Sequence, residues 1–194
     1  IRDDTSLDAL RKLPPAFIKP FGTVTAGNSS GLTDGASATL LMAEDVAEAE
    51  GFEPEAALRE YTYVAQDPGT ELLLGPAYAI PQVLDAAGLA LDDIDVLELH
   101  EAFAGQVLAV LEALRSDTFA QKNLDRSSAV GTVDLDRLNA WGGSLSLGHP
   151  FGATGTRLIT TAAHRLQVED GHWALVAACA AGGQGHAMLL ERRI

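Results

Sequence analysis

Three short segments of the 194-residue chain gather residue types that move protons or hold charge. The first, His100-Glu101-Ala102-Phe103, follows the apolar run Ile94–Leu99 and precedes an amphipathic stretch. It therefore falls at a strand-to-helix junction, and open α/β sheets bind ligands beyond the carboxyl ends of their strands. The second is Gly148-His149-Pro150-Phe151-Gly152-Ala153-Thr154-Gly155. Pro150 biases His149 toward an extended backbone, the glycines allow a sharp turn, and the next helix starts with free N–H groups facing whatever lies above. Such a histidine can act as a general base or donate to an oxyanion. In the third, Cys179 ends an apolar strand and runs into Ala180-Ala181-Gly182-Gly183-Gln184-Gly185. A thiol with an ordinary pKa near ~8.5 becomes a useful proton carrier beside a histidine or the N–H groups of a Gly-rich loop.

Each segment also has a plainer reading. His100 can cap the helix or satisfy its own core position, and Glu101, taken as part of the helix's first turn, can be no more than a partner of the helix dipole. Gly-His-Pro can be a turn with an incidental surface histidine. A buried strand cysteine is usually an inert small hydrophobe. His164, His172 and His186 lack any comparable context and are read as structural, and one cysteine with scattered histidines implies no metal site.

The elements that must position these groups follow from periodicity and punctuation. Thr5 to Lys12 reads as a short helix capped by Thr5 or Ser6 and stopped at Pro14-Pro15. The segment 22–35 is rich in Gly, Ser, Thr and Asn, and either offers N–H and hydroxyl groups to a ligand or only makes turns. Ala36 to Ala43 reads as a buried strand, Glu44 to Glu50 as an acidic helix closed by Gly51, and Leu58 to Ala65 as a strand. A helix follows from Pro76 to Gly88, with Pro81 as a potential kink. Ile94 to Leu99 is a strand and Ala102 to Leu114 the clearest amphipathic helix. Ser116 to Asp136 is polar and weakly patterned. A Gly-rich connection from Asn139 to Gly155 leads into a helix from Thr156 to Gln167, and Trp173–Cys179 and His186–Glu191 close the chain as two strands. The expected fold is α/β: a mostly parallel five-stranded sheet with helices on both faces and an antiparallel C-terminal strand. Nine of the 19 glycines lie between Gly142 and Gly185, so special backbone geometry concentrates where the second and third segments are.

Composition narrows the function. With 47% hydrophobic and 21% charged residues the chain can build a real core. Thirteen Lys+Arg against 27 Asp+Glu give a formal charge of −14, which disfavours nucleic acid and anionic membrane surfaces as partners. One cysteine excludes a disulfide framework and fits a reducing compartment. Residues 171–190 carry no Asp, Glu, Lys or Arg, yet their centre is Gly182-Gly183-Gln184-Gly185-His186, which fits two strands around a tight loop better than a membrane span. The sequence has no secretory signal pattern and opens at Ile1 with charged, helix-like residues, so a processed or truncated intracellular polypeptide is expected.

Taken together, Pro15–Ala43, Leu99–Gln106 (LHEAFAGQ), Asn139–Gly155 and Ala177–Met188 (AACAAGGQGHAM) resemble the thiolase family, and within it the branch of β subunits of the fatty-acid β-oxidation trifunctional complex. The ordered combination of His-Glu-Ala-Phe, Gly-His-Pro-Phe-Gly and Cys-x-x-Gly-Gly-Gln-Gly is specific where no single motif is, and the similarity covers essentially the whole chain. Two departures from the commonest family pattern, His100 in place of Asn and Ala181 in place of the first Gly after the cysteine, match that branch. His100 adds a titratable group, and Ala181 keeps its N–H while disfavouring positive φ.

The resemblance implies a layered thiolase-like fold. Residues 1–22 would be the end of a loop domain, 23–50 the last elements of an N-terminal half, and 51–194 a C-terminal domain. It implies the catalytic C-terminal portion of an acetyl-CoA acyltransferase that cleaves 3-ketoacyl-CoA with CoA, the acylated cysteine lying in an N-terminal half. His149 would activate that nucleophile and, with a water held by the His100 loop, stabilise the thioester enolate. Cys179 would exchange protons with the substrate α-carbon and the CoA thiol. The N–H of Ala181, in the turn with Gly182, would form a second oxyanion site. Ser30 would lie against the pantetheine arm, and Ala102 and Phe103 would line its tunnel. Coenzyme A and acyl-CoA enter as substrates, with no permanently bound cofactor. The implied partners are the N-terminal half, a second copy and a hydratase/dehydrogenase α subunit, in the bacterial cytoplasm or alternatively the mitochondrial matrix. A net negative chain fits the CoA phosphates poorly, leaving Arg11, Lys12 and Lys19 as the loop domain's positive charge. Two other readings compete. One is a non-catalytic CoA- or lipid-binding or assembly module, which the retained His149 and Cys179 disfavour. The other is a decarboxylating condensing enzyme of the same superfamily, in which Cys179 would have no role.

Overall fold

The computed structural model describes residues 4–193. Helix α1 (Leu7–Arg11) begins where Ser6 Oγ accepts the Ala9 N–H at 3.2 Å and ends before Pro14-Pro15. Helix α2 (Glu44–Glu50) closes on Gly51, whose φ of 71° is the left-handed conformation that a C-cap glycine adopts without steric cost. Between them the chain is irregular. Ala36–Ala43, expected as a buried strand, is a largely exposed loop with Leu40 and Leu41 in the open. Its β-type composition is not enough, because a strand needs a neighbour for its N–H and C=O groups and no named strand among the described residues pairs with it.

Strand β1 (Ala56–Ala65) is followed by α3 (Gly75–Ala87), β2 (Val96–Leu99), α4 (Ala104–Leu114) and α5 (Asp117–Asn123). Then come α6 (Ser144–Leu147), α7 (Thr154–Val168), β3 (Trp173–Ala180) and β4 (Gln184–Arg192). Pro76 sits in the first turn of α3, and Pro81 is accommodated inside it without ending the helix. Helix α5 lies in the segment read as weakly patterned; it is a local structure, capped by Ser116 Oγ on the Phe119 N–H at 3.1 Å.

The four strands form one sheet in the order β1-β4-β3-β2. Only β2 and β3 are parallel; β3–β4 and β1–β4 are antiparallel. The α/β class with helices on both faces therefore holds, as do the shared direction of most strands, β1, β2 and β3, and the opposite run of the C-terminal β4; the expected fifth strand does not form among the described residues. One strand fewer forms because Ala36–Ala43 has no partner. The three-residue turn 181–183 returns the chain antiparallel as β4, and because β4 lies between β3 and β1, two of the three strand pairings are antiparallel although only one strand is reversed.

The two-residue period of the strands sorts the core into layers. Leu97, Leu99, Leu175, Ala177, Ala187 and Leu189 face α3 and α4, where Ile80, Val83, Val110 and Leu114 meet them. Val96, Ala174, Val176, Met188 and Leu190 face α7, packing on Leu158, Ala162 and Leu166. The same parity turns Glu98 toward α7. There its fully buried carboxylate bonds Arg165 at 2.7 Å, and Arg165 also reaches Glu169 at 2.8 Å. Burial raises the Glu98 pKa against the opposing pull of Arg165.

Arg165→Met removes the counter-charge from a buried carboxylate and is expected to cost about 3–5 kcal/mol near neutral pH, read as a lowered urea midpoint. A Glu98 pKa raised further in the folded variant contributes stability at low pH that is lost as pH rises. The deficit should therefore shrink on acidification, and a deficit that grows would contradict the assignment.

Candidate active site

The β2–β3 ladder continues one residue past β2, with the His100 N–H donating to Ala177 O at 2.8 Å. This places His100 beside the carboxyl end of β3, where Ala178, Cys179 and Ala180 run out toward the turn. The loop before the helix is then clamped. Asn139 accepts the Leu99 N–H and donates to Leu99 O at 2.8 and 2.9 Å, and donates to Glu101 Oε1 at 2.6 Å. Glu101 Oε2 accepts the Leu145 N–H at 2.9 Å. Glu101 thus precedes the N-cap Phe103 and ties two loops together, rather than serving the dipole of α4 from its first turn. Gly143 makes this possible: a Cβ there would stand 2.2 Å from Glu101 Oε2.

The second loop is docked by a bond from the His149 N–H to Gly31 O at 2.8 Å. The Ser30 N–H donates to Ala102 O at 3.0 Å, so the Ser-rich segment links the His100 and His149 loops. The imidazoles of His100 and His149 lie 4.3 Å apart, centroid to centroid, and the ring of Phe151, at a left-handed φ of 39°, lies 4.6 Å from that of His149. His149 Nδ1 is 2.7 Å from Thr154 Oγ1, and His100 Nδ1 is 3.0 Å from Ser144 Oγ. Ser144 in turn accepts from Arg157 Nη2 at 3.0 Å.

His100, His149, Phe151 and Thr154 open into one cavity of about 550 Å³ at the carboxyl ends of β2 and β3. Its walls include Ser30, His100, Ala102, Phe103, His149, Cys179 and Ala181. Of the residues to which the resemblance gave a catalytic, oxyanion or pantetheine-binding role, Gly182 does not line it; it lies exposed in the turn, where Gly182 and Gly183 take the positive φ values, 89° and 78°, that Ala181 avoids. His164, His172 and His186 lie away from the cavity, against Glu55, Glu191 and Thr62 O respectively. Thr154, Ser144, Asn139 and Arg157 were not foreseen. Thr154 alone carried a local signal, a hydroxyl five residues after His149 at the start of a helix.

Burial pushes His100 down to about 4, with further contributions from His149 and Arg157, and it also lowers His149, assisted by Arg157. Both rings are neutral at pH 7. The titratable group that His100 adds is thus held in its neutral form. Burial pushes the Cys179 thiol up to about 11, so it rests protonated. Because a threonine hydroxyl both donates and accepts, Thr154 can match either neutral tautomer of His149, which leaves Nε2 free to serve as a base or a donor. The arrangement holds a neutral imidazole able to reverse its role, a second neutral imidazole and a protonated thiol around one mostly apolar space.

The molecule is thus an α/β protein whose sheet carries a two-histidine, one-thiol cleft at its strand ends. Comparison with known proteins gives the family. The profile "Thiolase, C-terminal domain" matches residues 52–192 and "Thiolase, N-terminal domain" matches residues 1–45. The chain is 63% identical to the mitochondrial trifunctional enzyme subunit beta of Bos taurus over 96% of its length and 39% of that protein. It is 61% identical to a probable 3-ketoacyl-CoA thiolase of Caenorhabditis elegans, over 96% of this chain and 42% of the relative. Among solved structures, the Bacillus anthracis acetyl-CoA acetyltransferase superposes with a TM-score of 0.84 at 36% identity, covering 99% of this chain and 44% of that one. The human mitochondrial 3-ketoacyl-CoA thiolase in complex with CoA superposes with a TM-score of 0.80 at 38% identity, covering 100% and 44%. The chain belongs to the thiolase family, and it spans about two fifths of the length of the curated relatives just described.

Two measurements check the electrostatics. Cys179 is the one cysteine, so alkylation reads it alone; its rate at pH 8 should be roughly 100-fold below that of the urea-unfolded chain and rise steadily toward pH 11. His100, depressed when folded, stabilises the fold fully above the ordinary histidine pKa and loses that contribution as pH falls toward 4. Urea midpoints between pH 6.5 and 5 should therefore fall with acidification, by up to about 1.4 kcal/mol per pH unit per histidine, and a flat profile would refute the buried neutral ring.

Proposed function

We propose that this chain is the C-terminal catalytic portion of a 3-ketoacyl-CoA thiolase, an acetyl-CoA C-acyltransferase of fatty-acid β-oxidation that takes CoA and acyl-CoA as substrates and holds no permanent cofactor. The observation that carries the reading is the shared cavity: His149, Cys179, His100 and the turn at Ala181 face one space although up to 81 positions separate them in sequence. The printed names of its relatives, and CoA bound in a solved neighbour, support the substrate class.

The chemistry follows from what a thioester needs. An acylatable cysteine, which must come from another polypeptide segment because Cys179 is the only one in the 194 residues, attacks C3 of the 3-ketoacyl chain. The C2–C3 bond breaks and its electron pair passes to C2 as a thioester enolate. His149, neutral and matched by Thr154, first takes the nucleophile's proton and then donates to the enolate oxygen, together with a water held by the His100 loop. Cys179 gives its S–H proton to C2, releasing acetyl-CoA. Its thiolate, strongly basic because it is buried, takes the proton of the incoming CoA thiol, which attacks the acyl-enzyme and releases the shortened acyl-CoA, the nucleophilic cysteine leaving as a thiolate that recovers its proton from His149. The Ala181 N–H, with the Gly182 turn behind it, serves the acyl carbonyl; Ser30, Ala102 and Phe103 guide the pantetheine arm.

In this reading residues 1–22 are the end of a loop domain, 23–50 complete an N-terminal half and 51–194 form the C-terminal domain, in keeping with the two profile matches. The partners are a second copy and a hydratase/dehydrogenase α subunit, by likeness to relatives named trifunctional enzyme subunit beta. The setting is an aqueous intracellular compartment, bacterial cytoplasm or mitochondrial matrix; no helix among the described residues is long and apolar enough to cross a membrane.

Alone, the 194-residue chain should release no acetyl-CoA from a 3-ketoacyl-CoA and CoA. Adding an N-terminal half that bears the acylatable cysteine should restore turnover, and Cys179→Ala or His149→Ala should then cut kcat by at least about 10³-fold. Turnover by the chain alone would overturn the assignment. Binding of CoA with no activity in any complemented form would favour the non-catalytic module.

A further inference from the structure

Beside the proton carriers lies a group of residues that touch nothing in the cavity. Ser144 is fully buried, and its Oγ has two neighbours: Arg157 Nη2 and His100 Nδ1, each at 3.0 Å. Arg157 has no acceptor among the described residues other than Ser144, and its Nε and Nη1 are buried without partners. Neither Ser144 nor Arg157 lines the cavity, whereas His100 does.

A guanidinium can only donate, so it occupies one lone pair of Ser144 Oγ. The hydroxyl carries a single proton, and among the described residues the only acceptor for it is His100 Nδ1. Were Nδ1 protonated instead, the serine proton would be left without an acceptor in a fully buried site, which costs about 1–3 kcal/mol. The cation also opposes a second proton on the ring. We infer that Arg157, through Ser144, fixes His100 in the tautomer that carries its proton on Nε2, making it a permanent hydrogen-bond donor to the cavity and never a base. His149, whose Nδ1 partner Thr154 has no such cation bonded behind it among the described residues, keeps both tautomers; the two adjacent imidazoles therefore divide the work, one exchanging protons and the other only donating. Ser144 and Arg157 are positioning residues, acting on the reaction only through His100.

The inference rests on the proposed thiolase reading for what the donor serves, but not for the tautomer, which is measured without turnover. In 15N-labelled 194-residue chain at pH 7, two-bond nitrogen–carbon-proton correlation spectra should show His100 with an unprotonated Nδ1 and a protonated Nε2. A protonated Nδ1, or a doubly protonated ring, overturns the inference. Ser144→Ala and Arg157→Met should each introduce Nδ1-protonated His100, while Ser144→Thr, which keeps the hydroxyl, should not. An unchanged pure tautomer in either of the first two variants overturns the relay, and each suffices should the other fail to fold. In enzyme complemented with the cysteine-bearing half, Ser144→Ala should lower kcat by at least about tenfold with KM changed less than about twofold, and Ser144→Thr should restore most of it. Unchanged kcat in Ser144→Ala, with the tautomer altered, overturns the donor role. Absence of activity in complemented wild-type enzyme with the expected tautomer present defeats the functional reading and leaves the tautomer assignment standing.

Discussion

The hydrogen bond from the His100 N–H to Ala177 O is the contact on which the cleft depends. It extends a parallel ladder by one residue beyond β2, so that the loop carrying His100 leaves the sheet level with the last residues of β3. Parallel pairing puts the carboxyl ends of both strands at the same edge, and a thiol on one and an imidazole after the other become neighbours by topology alone. The β3–β4 turn then rises from the same edge with Ala181 in it. Were β2 paired antiparallel to β3, His100 would leave the sheet at the opposite end from Cys179.

A loop that leaves a sheet edge is not rigid unless something holds it, and here buried polar side chains do so. Asn139 makes paired bonds with both backbone groups of Leu99 and a third with Glu101, whose other oxygen holds the Leu145 N–H. Every one of these groups would be costly to bury unpaired, so the clamp forms as a unit or not at all. The consequence for chemistry is a cavity with fixed walls and few charges. Burial keeps two imidazoles neutral and a thiol protonated, the states from which a proton can be moved in either direction without first disposing of a charge.

Much of this was legible in order along the chain. Apolar runs marked β2, β3 and β4, Gly51 and Gly88 marked the ends of α2 and α3, and the three chemical loops were found at their element junctions. Pairing partners were not legible. Ala36–Ala43 has the composition of a strand, and the polar run 116–136 that of a loop, yet the first is unpaired and the second contains α5. Composition reports what a segment can satisfy; pairing depends on which other segment arrives beside it. Glu101 is the sharpest case, since its local position suggested a helix dipole partner while its carboxylate is used by residues 38 and 44 positions away.

Readable from residue order alone are the identity of the reactive atoms and the kind of backbone that carries them: His100 and Cys179 at strand ends, His149 in a glycine-rich approach to a helix. Those depend on short-range preferences, which act over a few residues and survive without any fold. Packing alone brings the three loops to one space, sets Ser144 between Arg157 and His100, and through burial holds His100, His149 and Cys179 in their neutral forms. Distance, exposure and dielectric belong to the packed molecule, because they are set by atoms far apart along the chain and have no value before it folds.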